Sequence, residues 1–381
     1  MQYSFRLAQL LAHDPDPRKR PGTIKSIVDY TGLDRHQVAA LLKNEVKYIP
    51  LKALSRLCDF LVEHGHATAD QLPGALFGVE PESFWEMLAR RIRLELALGV
   101  RRGLDSDSPE VSYVGASDSE LFGELLNGVT TLGGTAKHQA GTETSHREIP
   151  HPEQLKQSLV WSPGQASDDE VRYRAESVYR DFDESRKDKA LVAIGSTKSN
   201  PIVELILARS FGCDPFESQD GVSSPDERSV PFFVRYRDQD PHPKSCAAGL
   251  RLSKSHKSNE PGIYYSTAPG KWEHVPASTP DHDCAFLCYV HREPQGCLEM
   301  VLGGFSGRAT RLLARTLASH SQDFWPPTYV NQGVQAGAYI IKFELNPDTA
   351  PGSIDILQTD FHATTQVVAV PEETLKRCLD R

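Results

Sequence analysis

The 381-residue sequence lacks the segments that would place a protein across a membrane or export it. No run approaches the ~18 apolar residues that a membrane span needs, and the N-terminus has neither a charged region nor a small-residue cleavage site. The seven cysteines are an odd number scattered along the chain, which is typical of reduced thiols and not of a disulfide framework. These absences predict a cytoplasmic protein with no membrane partner.

Common cofactor and metal motifs are also missing. No glycine-rich run ends in GK[ST] and no GxGxxG occurs, so there is neither a Walker A loop nor a dinucleotide fingerprint. No CxxC pair occurs, and Cys284 and Cys288 alternate along a predicted strand as core cysteines do. We therefore expect no metal and no cofactor. The histidines and cysteines that lie close enough in sequence to be candidate zinc ligands are His242, Cys246, His282, Cys284, Cys288 and His291.

The charge of the chain is unevenly distributed. Its formal net charge is −9, yet residues 1–56 hold ten Lys and Arg against five Asp and Glu, so the remainder carries −14. An acidic body excludes a protein that coats nucleic acid with its whole surface, whereas a basic end fits phosphate contact confined to that end. The length of the chain predicts two or three domains.

The first half of residues 23–44 has the pattern of a short amphipathic helix that ends in a turn. Ile24, Ile27 and Val28 share one helical face at spacings of three and four. Gly32 then interrupts the pattern and can adopt the positive φ that a sharp turn between helices requires. This segment therefore predicts a helix followed by a tight turn.

The second half of the same segment predicts another helix. Asp34 is the expected N-cap, and Gln37 follows three residues later at the spacing of a capping box. Val38, Leu41 and Leu42 would face the core. The residues left on the outward side are Arg35, His36, Gln37, Ala39, Ala40 and Lys43.

Two short helices that cross at a glycine turn resemble a Cro/C1-type (XRE-like) helix-turn-helix DNA-binding domain. Val28 lies four residues before the turn glycine, and Val38 and Leu41 lie six and nine residues after it. Residues 49–62 resemble the helix that follows, and Leu72 to Phe77 the closing turn, so the likeness covers about residues 1–77. An ordinary helical hairpin with a glycine turn is the alternative.

The resemblance implies that the second helix enters the major groove of double-stranded DNA. Arg35 and His36, in its first turn, would then lie nearest the base edges and Lys43 nearer a phosphate. Gln37 and Ala39 would share that DNA-binding face. Heads of this type usually read two half-sites, so the resemblance also implies a homodimer.

Beyond residue 80, strands alternate with helices, which predicts a larger Rossmann-like α/β domain with a mostly parallel central sheet over residues 81–381. The all-α helix-turn-helix domain would occupy residues 1–80. Residues 133–168 show no period and are interpreted as a long loop, with a short helix near Glu153–Leu159 as the alternative. Strand, small turn and helix follow one another three times, with the helices beginning near Ser119, Pro201 and Arg308.

Two of these strand-to-helix turns are candidate ligand sites. Helix N-termini present free N–H groups and the positive end of a dipole, which suit phosphate or carboxylate, and tight chain reversal alone is the alternative explanation of the small residues. If both strands belong to one parallel sheet, both turns lie at one end and line one pocket. The candidate ligand-binding residues are Gly195, Ser196, Lys198, Asn200, Gly303, Gly304, Ser306, Gly307, Arg308 and Thr310.

The sequence thus favours a sequence-specific DNA-binding transcriptional regulator whose α/β domain senses a small, phosphorylated or nucleotide-like ligand. A nucleotide- or NAD-processing effector enzyme with a DNA-binding head is the alternative, and an adaptor that holds a protein partner is a third. Glu204 is a candidate catalytic acid and Ser306 a candidate nucleophile, but neither has a second positioned partner that sequence can identify. No catalytic residue is therefore assigned.

Overall fold

A computed structural model describes residues 3–11, 22–46, 48–69, 72–73, 76–79, 81, 83–103, 112–133, 151–185, 187–256, 260–277, 279–331, 333–345 and 363–380. The chain forms two compact units. The first comprises Met1–Glu82, His291–Leu298 and Val330–Gln335, and the second comprises Ser83–Val290, Glu299–Tyr329 and Ala336–Arg381. Within these described ranges, no helix is both long and apolar enough to cross a membrane.

The N-terminal part of the first unit is a helical bundle closed by a two-stranded antiparallel sheet. Its elements are β1 (Tyr3–Phe5), α1 (Leu7–Leu10), α2 (Thr23–Thr31), α3 (Arg35–Leu42), α4 (Leu51–Glu63) and β2 (Phe77–Val79). The apolar residues Phe5, Leu7, Leu10 and Leu11 predict one helix from Tyr3 to Ala12, and for Tyr3–Phe5 that prediction is wrong. These residues pair with β2, and the ring of Phe5 packs edge-on against Phe77 with centroids 5.4 Å apart.

Local signals place α2 and α3 as predicted. Gly32 ends α2 with φ 73°, and its N–H donates to the carbonyl of Val28. The predicted capping box is present, because Gln37 N–H donates to Asp34 Oδ1 at 2.8 Å and Asp34 N–H donates to Gln37 Oε1 at 3.2 Å. The fully buried core residues of this bundle are Leu7, Ile27, Val38, Leu41, Leu57, Leu61 and Leu76.

The rest of the chain alternates strands and helices. Its helices are α5 (Phe84–Ala89), α6 (Ala116–Thr131), α7 (Asp168–Glu184), α8 (Pro201–Ser210), α9 (Gly307–His320) and α10 (Glu372–Leu379). Its strands are β3 (Arg93–Arg102), β4 (Ser112–Tyr113), β5 (Gln154–Trp161), β6 (Lys189–Ile194), β7 (Phe232–Arg235), β8 (Ala248–Gly249), β9 (Gly262–Ala268), β10 (Lys271–Pro276), β11 (His282–Arg292), β12 (Cys297–Gly304), β13 (Tyr329–Asn331), β14 (Val334–Leu345) and β15 (Ala363–Ala369).

The main sheet is mixed. Its order is β13-β14-β11-β12-β6-β3-β4, with β15 paired to β14 and β5 paired to β3. Strand β3 runs parallel to β5 and β6 but antiparallel to β4, and β14 runs antiparallel to β15. The connection from β11 to β12 is too short for a parallel crossover, so these neighbours are antiparallel as well. A Rossmann-like, mostly parallel sheet is therefore not confirmed.

Strands β7 to β10 form a separate four-stranded sheet in the order β10-β9-β7-β8. Strand β9 is antiparallel to both β7 and β10, and only β7 and β8 run parallel. Phe233, Leu252 and Tyr264 form a small core beside this sheet. Only residues 269–270 connect β9 to β10, and so short a connection favours their antiparallel pairing.

The predicted loop over residues 133–168 is wrong for residues 154–161, and so is the short helix near Glu153–Leu159 that was the alternative, whereas residues 162–167 do lie outside helices and strands. Residues 154–161 form β5, which pairs in parallel with β3, and α7 begins at Asp168. Polar residues occupy much of this strand: Ser158 Oγ donates to the buried carboxylate of Glu95 at 2.5 Å, and the exposed Lys156 has its Nζ 3.7 Å from that carboxylate. The part of the predicted loop over residues 134–150 lies outside the described residues.

Apolar residues alternate with charged or small residues along β3, which predicts a half-buried strand with one solvated face. The structure differs, because β3 is buried on both faces from Leu94 to Val100. Glu95 is nevertheless buried because Arg93 and Ser158 satisfy its carboxylate. Strand β3 is therefore an interior strand of the sheet.

Candidate functional site

The outward face of α3 carries the residues predicted to contact DNA. Arg35, His36 and Lys43 are exposed, while Gln37 and Ala39 are partly buried. The opposite face is fixed in the core by Val38 and Leu41, which are 0% and 1% exposed. The helix therefore presents cationic side chains to solvent on a surface that its buried residues hold in place.

The capping box limits what the first turn of α3 can offer to a partner. The amide oxygen of Gln37 accepts the hydrogen bond from Asp34 N–H, so only its amide N–H groups remain for a base or a phosphate. Ala39 offers only a methyl group. Arg35 and His36 are thus the exposed side chains of this turn whose hydrogen-bonding groups take no part in the capping box.

The second unit contains a cavity of about 530 Å³ at one end of the main sheet. Strands β6 and β12 are neighbours and end beside each other, since Gly195 N–H donates to the carbonyl of Leu302 at 2.9 Å. The loops after the two strands therefore meet, as expected for turns at one end of a sheet. Of the sequence-predicted residues, the cavity is lined by Gly195, Ser196, Lys198, Gly304, Ser306, Gly307, Arg308 and Thr310.

Two residues of the predicted set do not line the cavity. The side chain of Asn200 is fully buried, caps α8, and donates to the carbonyls of Ala97 and Ile194. Gly303 is buried against the neighbouring loop, where an added Cβ would lie 2.4 Å from the carbonyl oxygen of Gly195. Both residues shape the loops without facing the cavity.

The hydroxyl groups of Ser306 and Thr310, at the start of α9, form hydrogen bonds within the protein. Ser306 Oγ caps α9 by accepting from Ala309 N–H, and it donates to Asp283 Oδ2 at 2.6 Å. Thr310 Oγ1 accepts from Gly304 N–H at 3.2 Å and donates to the Ser306 carbonyl. These hydroxyls hold the loop in shape, so backbone N–H groups and cations are the better donors for a ligand.

Most cationic side chains around the cavity have acidic partners. Lys198 Nζ lies 2.9 Å from Asp240 Oδ2, and Arg237 bonds to the same carboxylate. Burial lowers the pKa of Lys198, against the effect of its hydrogen bond to Asp240. Arg308 is paired with Asp283 at 3.1 Å. The lining cations therefore form an internal network with fixed positions.

The cavity is also lined by residues outside the set predicted from the sequence. Arg101 is exposed and forms no ion pair or side-chain hydrogen bond with any described residue. Asp118 belongs to the first turn of α6, and burial raises its pKa to about 6 although Arg101 and Ser117 act to lower it. The lining residues missed from sequence include Arg101, Ser117, Asp118, Arg237, Asp240 and Arg311.

The starts of α6 and α9 lie next to each other at the cavity wall. An added Cβ on Gly307 would lie 3.4 Å from Ser117 Oγ. First-turn N–H groups have no acceptor within their own helix, and both residues line the cavity. The adjacent positive ends of two helix dipoles favour an anion there.

Comparison with known proteins bears on the N-terminal region alone. Residues 18–62 match the family model of the Cro/C1-type HTH DNA-binding domain. Neither the curated proteins nor the solved structures that were compared give a match. The Cro/C1-type segment contains α2, α3 and all of α4 except its last residue, and it supports a DNA-binding regulator.

Three candidates for catalysis or metal binding outside the Cro/C1-type segment have structural roles: Glu204, Cys284 and Cys288. Glu204 is buried and accepts hydrogen bonds from the N–H groups of Phe216 and Cys246, and it does not line the cavity. Cys284 and Cys288 are buried in β11. Among the described residues, no group of three or more His, Cys, Asp and Glu is placed to hold a metal ion.

Proposed function

We propose that the protein is a sequence-specific transcriptional regulator that reads DNA with α3 and binds a small anionic ligand in the cavity of its second unit. The observation that carries the first part is the exposed cationic face of α3 inside the segment that matches the Cro/C1-type family. The second part rests on the cavity, where cationic side chains and two helix N-termini converge.

Reading of DNA by α3 follows from the chemistry of its first turn. Arg35 presents a planar guanidinium that can donate two hydrogen bonds to guanine O6 and N7, the commonest specific contact in the major groove. His36 lies beside it, and Lys43 at the C-cap is a point charge suited to a phosphate. Specific readout would therefore reside at the start of α3 and salt-dependent affinity at its end.

The experiment for this part begins with selection of bound sequences from random DNA duplexes, followed by affinity measurement on the selected site. Replacing Arg35 by Ala should cost about 1–3 kcal/mol on that site and relax discrimination at one base pair. Arg180→Ala, which removes an exposed arginine from α7, is the matched control and should leave the affinity unchanged. Unchanged affinity in Arg35→Ala, with the fold intact, would contradict the assignment.

We also propose that the protein acts as a homodimer. One recognition helix reads only a few base pairs, and such heads commonly reach specific affinity by reading two half-sites about one helical turn apart. The selected DNA site should then contain an inverted repeat. Light scattering at micromolar concentration that finds a monomer both with and without DNA would overturn this proposal.

The cavity suits a ligand with one anionic group. Among the described residues that line it, five side chains are cationic and two are acidic, so this lining is net positive within a chain of net charge −9. Its volume of about 530 Å³ lies in the range of small-molecule sites. Because Lys198 and Arg308 already have acidic partners, an incoming anion would redistribute those contacts and move the loops that carry them.

Inorganic phosphate and ribose 5-phosphate are direct probes of the cavity. Either should raise the melting temperature of the full chain and change its affinity for the selected DNA site. Arg101→Ala should weaken phosphate binding without loss of stability, because Arg101 is exposed and forms no ion pair or side-chain hydrogen bond with a described residue. Binding that is identical in the wild type and Arg101→Ala would place the anion elsewhere.

A further inference from the structure

We infer that the cavity selects a ligand in which a nitrogen donor, such as an amine, accompanies the anionic group, and that Asp118 is the residue that selects it. This inference rests on the proposed anion cavity of the second unit. It assigns a ligand class, an amino-bearing phosphate, to a site that would otherwise accept any small anion. Its basis is the unequal pairing of the two acidic side chains that line the cavity, Asp118 and Asp240.

Asp240 is neutralised within the protein. Its carboxylate accepts from Lys198 at 2.9 Å and also from the side chain and backbone N–H of Arg237. Although burial alone would raise the pKa of Asp240, the bond from Lys198 lowers it. This carboxylate therefore acts as a fixed partner for the two cations and is not available to a ligand.

Asp118 has a different environment. It lies on the first turn of α6, lines the same cavity and forms no ion pair with any described residue. Ser117 supplies a hydroxyl hydrogen bond, and Arg101 is near enough to interact electrostatically. Burial nevertheless raises its pKa to about 6, so at pH 7.5 a carboxylate stands in the cavity without a cationic partner bonded to it.

Such a carboxylate discriminates between ligands. A purely anionic ligand would meet repulsion from Asp118, which offsets part of the attraction from the lining cations. A ligand that directs an ammonium or amide N–H at Asp118 replaces that repulsion with a charge-assisted hydrogen bond. The charged groups that share the cavity and set this balance are Arg101, Lys198, Arg237, Asp240, Arg308 and Arg311.

The test compares two small probes that differ in one amine. O-Phosphoethanolamine and ethyl phosphate carry the same phosphate monoester, and titration calorimetry of the full chain at pH 7.5 gives both affinities. We expect O-phosphoethanolamine to bind about ten-fold more tightly, which is the range of one hydrogen bond between charged groups. Equal affinities in the wild type would overturn the inference and leave the anion cavity in place, whereas failure of both probes and of inorganic phosphate would overturn both.

Two variants identify the residue. Asp118→Asn keeps the size of the side chain and should abolish the preference for the amine while phosphate affinity stays the same or rises. Asp169→Asn removes an exposed carboxylate from the first turn of α7, outside the cavity, and should preserve the ten-fold preference. Retention of the preference in Asp118→Asn would show that another group selects the amine. Should Asp118→Asn fail to fold, the wild-type comparison is repeated at pH 5.5, where protonation of Asp118 should shrink the preference.

Discussion

The two cationic surfaces of this protein differ in what their charges already contact. On α3, Arg35 and Lys43 are exposed and form no ion pair with described residues. In the cavity, Lys198 and Arg237 share Asp240, and Arg308 is held by Asp283. The first surface needs only to release water and counterions when it binds, whereas the second must exchange one set of partners for another.

This difference predicts how binding at each surface depends on salt and on loop positions. Binding at α3 should depend strongly on salt, because screening acts fully on exposed charges. Binding in the cavity should depend less on salt and more on the positions of loops, because each cation that turns to a ligand leaves a carboxylate behind. Four changes, from the largest expected effect to the smallest, probe the contrast.

Gly304→Val should have the largest effect. A Cβ at this position would lie 2.2 Å from the backbone nitrogen of Thr310, so neither β12 nor the start of α9 can make room by rotating a side chain. We expect the second unit to lose more than about 3 kcal/mol of unfolding free energy. Chemical denaturation measures this loss, and DNA binding through α3 should persist.

Gly123→Ala is the control for that change. Gly123 lies within α6, and an added Cβ there meets no atom within 4 Å. Since alanine is the better helix former, the variant should be as stable as the wild type or more stable by up to about 1 kcal/mol. Equal losses for Gly304→Val and Gly123→Ala would refute the packing argument.

Asp240→Ala tests whether the cavity cations are held by internal partners. Removing this carboxylate leaves the largely buried Lys198 beside the ring of Phe305 without its acidic partner, so we expect a loss of about 2 kcal/mol in unfolding free energy. Thermal unfolding of the second unit gives the value. Stability equal to that of the wild type would mean that the network is not structural.

Asp34→Ala removes the side chain that caps α3. Loss of the hydrogen bond to Gln37 N–H should cost the first unit about 1 kcal/mol. Because Asn is also a good cap, Asp34→Asn should keep most of that stability and serves as the matched variant. An equal loss in both variants would point to the charge and not to the cap.

Lys43→Ala should have the smallest effect on folding. Lys43 is exposed at the C-cap of α3, and we expect no measurable change in melting temperature. Its role should appear only on DNA, as a decrease of about one in the slope of log affinity against log salt concentration. A fall in stability with an unchanged salt slope would reverse the assignment.

The parts of the structure that depend on neighbouring residues were predictable from the sequence. The capping box of Asp34 and Gln37 and the turn at Gly32 use groups within a few positions of each other, and the structure contains both. Alternation correctly indicated β3 as a strand, but its burial on both faces depends on Ser158, more than sixty positions away. A hydrogen bond between residues so far apart in the sequence leaves no periodic pattern from which burial could be predicted.

The cavity shows the same limit. Its two glycine turns are recognisable in the sequence because small residues follow apolar strands. The turn before α6, with Gly115 and Ser117, also has small residues and lines the cavity, but it is not among the predicted ligand-binding turns. Asp240 lies in an irregular segment with no such pattern. Its place beside Lys198 follows from the path of the connection between β7 and β8, and that path has no periodic pattern in the sequence.

Gly99 has a consequence for how this protein can change through evolution. An added Cβ there would lie 1.8 Å from the carbonyl oxygen of Ser199, although Gly99 does not line the cavity. Deletion of one codon within β3 would move Leu98 or Val100 to that point and force the loop that carries Lys198 outward. Substitutions can therefore alter the cavity one lining residue at a time, whereas insertions and deletions in β3 should be selected against because they displace this loop.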